Sequence, residues 1–146
     1  FSLGLLKEQS QFADEASQTR AVYLLSFLAN GKPDPSEHTV PFCKFLCGLP
    51  LKTAIEKQPG LSNYEIEECE QLLKAVITHW SALKNTSIDG LREGFLQRKG
   101  KLDFRENMTS LFVETRAQDV LLEGLPWGIS YIQLPWLTGP FNTTWN

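Results

Sequence analysis

Apolar positions in the first two thirds of this chain recur at helical spacing, and after residue 100 they alternate. Across 17–31, Ala21, Leu24, Leu25 and Leu28 fall at i, i+3, i+4 and i+7, and Val22 and Phe27 widen the face. A helix is predicted there, stopped by Asn30-Gly31, with "GKPDPSEH" as the following loop. "TVPFCKFLCG" reads as a second, short helix. Pro41 suits its first turn, where a backbone N–H has no helical partner, and Gly48 supplies a left-handed exit. "LPLKTAIEKQPG" is a connection.

The longest helix is predicted to begin at Ser62. Ser62-Asn63-Tyr64-Glu65 is a capping-box pattern, in which hydroxyl and carboxylate satisfy amides at a helix start. Ile66, Cys69, Leu73, Val76 and Trp80 then form a stripe, broadened by Leu72 and Ile77. Glu65, Glu67, Glu68 and Glu70 lie near the positive end of the helix dipole, a favourable place for carboxylates. Ser87 caps a further helix carrying Ile88, Leu91 and Phe95 and closing near Gly100.

"KLDFRENMTSLFVET" changes period. Leu102 and Phe104 share one side, Lys101, Asp103 and Arg105 the other, and Leu111 and Val113 repeat the pattern after a turn at Glu106-Asn107-Met108. This predicts a β-hairpin. "RAQDVLLEGL" returns to helical spacing through Ala117, Val120 and Leu121, with Gly124 as its stop. The tripeptide Leu-Pro-Trp then occurs twice, at 125–127 and 134–136, around the alternating "GISYIQL". Each proline marks a boundary of that strand, since proline has no N–H for a ladder, and each Leu and Trp is expected to cover a core edge. "FNTTW" reads as a last short strand. The fold class expected is mainly α (α+β): a single domain over 1–146, helical, with a small β-hairpin and a short C-terminal β element.

Composition narrows the function more by exclusion. The 146 residues are 42% hydrophobic and 21% charged, enough for one packed core without cross-links. A net charge of −3 gives no basic field, which argues against a nucleic-acid partner. The apolar run "AVYLLSFLA" falls well short of the roughly 20 residues that span a bilayer, so no membrane association is expected. The chain opens on "FSLGLLKE" without methionine and closes on aromatic and turn residues, which reads as the C-terminal part of a longer protein.

Candidate chemistry is sparse. Cys43, Cys47 and Cys69 are an odd number of thiols, as in a reducing compartment. His38 ahead of Cys43-x-x-x-Cys47 invites a metal reading, but a zinc site needs about four ligands, and Cys69 and His79 sit on different turns of another helix. Buried thiols packing between helices are favoured, and no metal or cofactor is expected. His79 is read as a helix-end residue, "EIEECE" as a solvated helix start, and "QRKGK" at 97–101 as a solvated basic turn. No nucleophile–base–acid constellation and no phosphate loop is present, so an enzyme is not expected. Asn85, Asn107 and Asn142 each begin an N-x-Thr/Ser tripeptide, a pattern that arises often by chance. The aromatic ending, Trp127, Tyr131, Trp136, Phe141 and Trp145, either completes the core or offers an interface; the interface candidates are Trp136, Phe141 and Trp145, with Trp127 weighed towards the core.

Several phrases together resemble a known family. "TRAVYLLSFLANGK", "FCKFLCGLPL", "HWSALKNTSIDGLREGFLQR" and "LPWGISYIQLPW" are similar, over 19–146 with gaps, to the C-terminal region of contractile injection system tape measure proteins, of the antifeeding-prophage and Photorhabdus virulence cassette kind. The resemblance implies a structural protein whose upstream part sets the length of the inner tube while this region anchors it. It implies baseplate hub or spike proteins, or tube proteins, as partners, and a homo-oligomer of three or six copies. It also implies synthesis in the bacterial cytoplasm and assembly inside a phage-tail-like particle that can be released. The alternative is a plug, adaptor or cargo-binding module in the tube lumen.

Overall fold

Asp14 starts the first helix. Its carboxylate accepts the Ser17 N–H at 2.7 Å, and the helix α1 runs Glu15–Asn30 to a left-handed Gly31 at φ 73°. The computed structural model describes residues 3–7, 11–35, 37–105 and 108–145. The chain divides into two compact units, Phe1–Cys69 with Pro135–Thr138 and Glu70–Leu134 with Gly139–Asn146.

In the first unit α1 is buried on most sides. Val22, Tyr23, Leu24 and Phe27 are all core residues, and Ser26, wholly buried, is satisfied by Thr39 and Asn30, each at 3.2 Å. Helix α2, Val40–Leu46, packs Cys43 and Cys47 against Ala21, Val22 and Leu49, and Gly48 takes the left-handed exit at φ 76°. Arg20 clamps the connection before the long helix: its Nη1 donates to the Pro59 carbonyl at 2.6 Å, and its Nε to Glu65 Oε2 at 2.8 Å. The capping box forms as its spacing demands, Ser62 N–H to Glu65 at 3.0 Å and Glu65 N–H to Ser62 Oγ at 3.1 Å.

Helix α3 spans Asn63–His79, and from Glu70 onward it belongs to the second unit. Cys69 and Leu73 are buried and Ile66, Val76 and Ile77 half-buried, but Leu72 is 53% exposed, so the stripe is narrower than expected. Trp80 follows as a core residue, its indole N–H donating to the Leu121 carbonyl at 3.0 Å and its ring 4.7 Å from Phe95. Ser87 caps α4, Ile88–Leu91, by accepting the Gly90 N–H. A π turn over Arg92–Leu96 continues it, and the 3-10 segments Ser81–Leu83 and Ala117–Gly124 complete the helical part.

The hairpin and the C-terminal strand, expected as separate elements, join one four-stranded sheet. Strands β1 (Gly100–Phe104) and β2 (Thr109–Val113) pair antiparallel, β4 (Phe141–Trp145) lies parallel to β2, and β3 (Tyr131–Ile132) covers β4, giving the order β1-β2-β4-β3. Of the turn between β1 and β2, Glu106 and Asn107 lie outside the described residues, and with them the Asn107 tripeptide. The strand expected over "GISYIQL" shortens to two ladder residues, Tyr131 and Ile132 opposite Asn142 and Phe141, and Thr143 extends the contact by donating its N–H to the Ser130 carbonyl at 2.9 Å. Among the described residues no helix is long and apolar enough to cross a membrane.

Candidate functional site

The three aromatic interface candidates occupy different settings. Trp136 lies in the first unit, half-buried, donating its indole N–H to the Leu46 carbonyl at 2.6 Å with its ring 5.0 Å from that of Phe12. It borders an apolar groove of about 220 Å³, lined also by Leu5, Phe12, Leu24, Leu25 and Cys47. Phe141 is 1% exposed and fills the core of the second unit, so it presents no surface while the sheet is intact. Trp145 is half-buried at the end of β4 with the Arg98 guanidinium 5.5 Å from its ring, a cation–π contact. Its indole N–H is buried and finds no acceptor among the described residues.

The most exposed large apolar side chains lie elsewhere. Val120 is 66% exposed, Tyr131 59%, Phe104 54%, Leu72 53% and Trp127 44% in the second unit, and Tyr64 is 56% exposed in the first. This corrects two expectations: Val120 does not face the core from its helical segment, and the first Leu-Pro-Trp does not cover a core edge with its tryptophan. The signal for Tyr131 was present in the alternation, where it shares parity with the exposed Gln133 while Ile132 and Leu134 turn inward.

Arg98 was expected in a solvated turn and is instead 6% exposed. Its Nε donates to the Gly94 carbonyl at 3.0 Å, and Nη1 to the Glu114 carbonyl at 3.1 Å and to Asp119 at 3.0 Å. Hydrogen bonding from Arg98 holds the Asp119 carboxyl below the ordinary carboxylate range. Lys99 and Lys101 are the exposed members of that basic run.

The candidate metal ligands are not gathered. His38 and His79 are exposed, while Cys43, Cys47 and Cys69 are buried, and among the described residues no group of three or more His, Cys, Asp or Glu has metal-holding geometry. Burial pushes the Cys43 thiol up to about 11 and that of Cys47 to about 12, which keeps both protonated and poor nucleophiles at neutral pH.

Each of the two units thus carries its own charged clamp, Arg20–Glu65 in the first and Arg98–Asp119 in the second, and exposes aromatic side chains. The chain matches no curated protein and no solved structure. The model of the contractile injection system tape measure protein family matches residues 1–145, beginning upstream of the phrases that carried the resemblance, and the chain belongs to that structural family.

Proposed function

We propose that this chain is the C-terminal anchor region of a tape measure protein from an antifeeding-prophage-type particle, docked at the baseplate end of the inner tube. Its partners in this reading are hub, spike or tube proteins of the same particle, and it is present there in three or six copies. The role is to be placed and held, and it needs no reaction. The observation that carries the reading is the family match over residues 1–145. The exposed Trp127 and Tyr131 support it, because aromatic side chains of this size are the usual anchors of protein interfaces. Trp136 and Trp145, each half-buried, contribute their accessible edges, and Phe141 acts from the core by holding β4 in the sheet.

The test is assembly with altered chains. Trp127→Ala with Tyr131→Ala should leave circular dichroism unchanged, while electron microscopy shows few particles or tubes of irregular length. Losing two interface anchors worth about 2 kcal/mol each lowers association by orders of magnitude. Normal numbers of regular tubes from the folded variant would discard the anchor reading. Regular tubes that lack their luminal content would instead favour the plug or cargo-binding alternative.

A further inference from the structure

Strand β1 is an edge of the sheet, and its sequence is complementary to itself. In an antiparallel ladder, alternate residues direct N–H and C=O towards the neighbouring strand. The bonds Glu114 N–H to Lys99 O at 2.9 Å and Arg105 N–H to Met108 O at 3.3 Å fix the parity here. Lys99, Lys101, Asp103 and Arg105 therefore direct their backbone groups towards β2, and Gly100, Leu102 and Phe104, though in register with it, direct theirs to the outer edge. Such an edge is a template for another strand.

We infer that β1 pairs antiparallel with β1 of a second copy of this chain, about a two-fold axis at Leu102. Three observations select this occupant and register. Leu102 then faces Leu102 of the second copy, so the two exchange both backbone hydrogen bonds across the axis. Lys101 faces Asp103 of the second copy, and symmetry repeats that pair. Phe104, 54% exposed, faces Gly100, which has no side chain to obstruct its ring. An axis at Lys101 or Asp103 would set each of these charges against its own copy, and an axis between residues would oppose edge-facing to inward-facing groups and lose the ladder. An axis at Phe104 keeps parity and sets Asp103 against Arg105, but it leaves Gly100–Leu102 without strand partners; the axis at Leu102 alone pairs all five strand residues with charge and parity both satisfied.

Just beyond the strand, Lys99 and Arg105 of opposite copies meet as like charges, and Arg105 also binds its own Asp103 at 3.0 Å. The pairing is therefore weak and reversible. Its contact is isologous and closes after two copies, so it belongs to the free chain and not to a threefold or sixfold ring in a particle. It stands independently of the anchor reading.

The experiment is sedimentation velocity of the 146-residue chain over a concentration series, comparing wild type, Lys101→Asp, Asp103→Lys and the double exchange. Wild type should dimerise with increasing concentration. Each single change sets like charges opposite each other twice and should lower the association constant about tenfold, and the double exchange, complementary again, should restore it to within about threefold. Amide exchange on wild type gives a second readout, with Gly100 and Leu102 slowing as concentration rises; it decides the matter even where a variant loses its fold. A wild type monomeric up to its solubility limit would overturn the inference. So would single variants that dimerise unchanged, a double exchange that fails to recover, or a dimer in which those two amides stay unprotected.

Discussion

Arg98 meets Asp119 with both terminal nitrogens, and the two side chains are 6% and 8% exposed. The same guanidinium supports two carbonyls and lies over the rings of Phe95 and Trp145, so it ties the π turn, the hairpin, the 3-10 helix and β4 together. Removing one partner of a buried pair leaves an uncompensated charge, which costs more than the pair's net attraction. Arg98→Ala should therefore destabilise the second unit by about 3–5 kcal/mol in urea unfolding. Arg98→Lys should recover only part, since an ammonium cannot reproduce the planar fork. In a double-mutant cycle with Asp119→Ala the coupling should reach about 1 kcal/mol or more, and additive costs would show that the two side chains act independently.

Glu65 gives a pH signature to the first unit. Hydrogen bonding from Arg20 draws its carboxyl down to about 2, from an ordinary 4.5. A carboxylate whose folded value is depressed contributes stability that is complete above the unfolded value and lost as pH falls through the folded one. Wild type should therefore lose urea resistance between about pH 5 and about pH 2, by more than Glu65→Gln loses over the same range. At neutral pH Glu65→Gln should already be the weaker protein, with a capping bond and a clamp both reduced. Parallel pH profiles for the two proteins would place the acid sensitivity elsewhere.

The narrow stripe of α3 separates adjacent leucines. Leu73 is 4% exposed and Leu72 53%. Leu73→Ala removes buried methyl groups and leaves a cavity, for about 2–5 kcal/mol. Leu72→Ala removes little from the core and should fall within about 0.5 kcal/mol of wild type, apart from alanine's small helix advantage. Equal urea midpoints for the two variants would mean that the helix is rotated from the position described.

What the sequence made legible follows from where physics is local. The Ser62–Glu65 box, the Gly31 and Gly48 exits and the Ser87 cap are decided within four residues, and all form. The hairpin's alternation was equally local. The parallel pairing of β2 with β4 was not, since residues 30 or so apart in sequence must be brought together by everything between them. The same limit hid Arg98: nothing in "QRKGK" distinguishes a solvated arginine from one that Asp119, 21 residues later, draws inward. For the interface candidates, tryptophan count pointed to the chain end, but exposure depends on which aromatic the sheet needs. Phe141, facing both neighbours of β4, was taken into the core, and Tyr131, on a two-residue strand, was left outside.

The thiols provide a final prediction, because their reactivity reports the fold of the first unit directly. Cys43 and Cys47 are 5% and 1% exposed, and burial raises both above the usual thiol range. The thiolate is the reactive form, so two factors slow alkylation together: few molecules are deprotonated, and the sulfurs are covered by Ala21, Val22 and Leu49. At about pH 8 iodoacetamide should leave both unmodified in the native protein, and modification on raising urea should follow the loss of circular dichroism. Mass spectrometry of the peptides carrying each cysteine separates the two sites from Cys69. Native labelling of Cys47 ahead of unfolding would mean that the α1–α2 packing opens locally, and that the groove beside Trp136 is a mobile part of the unit.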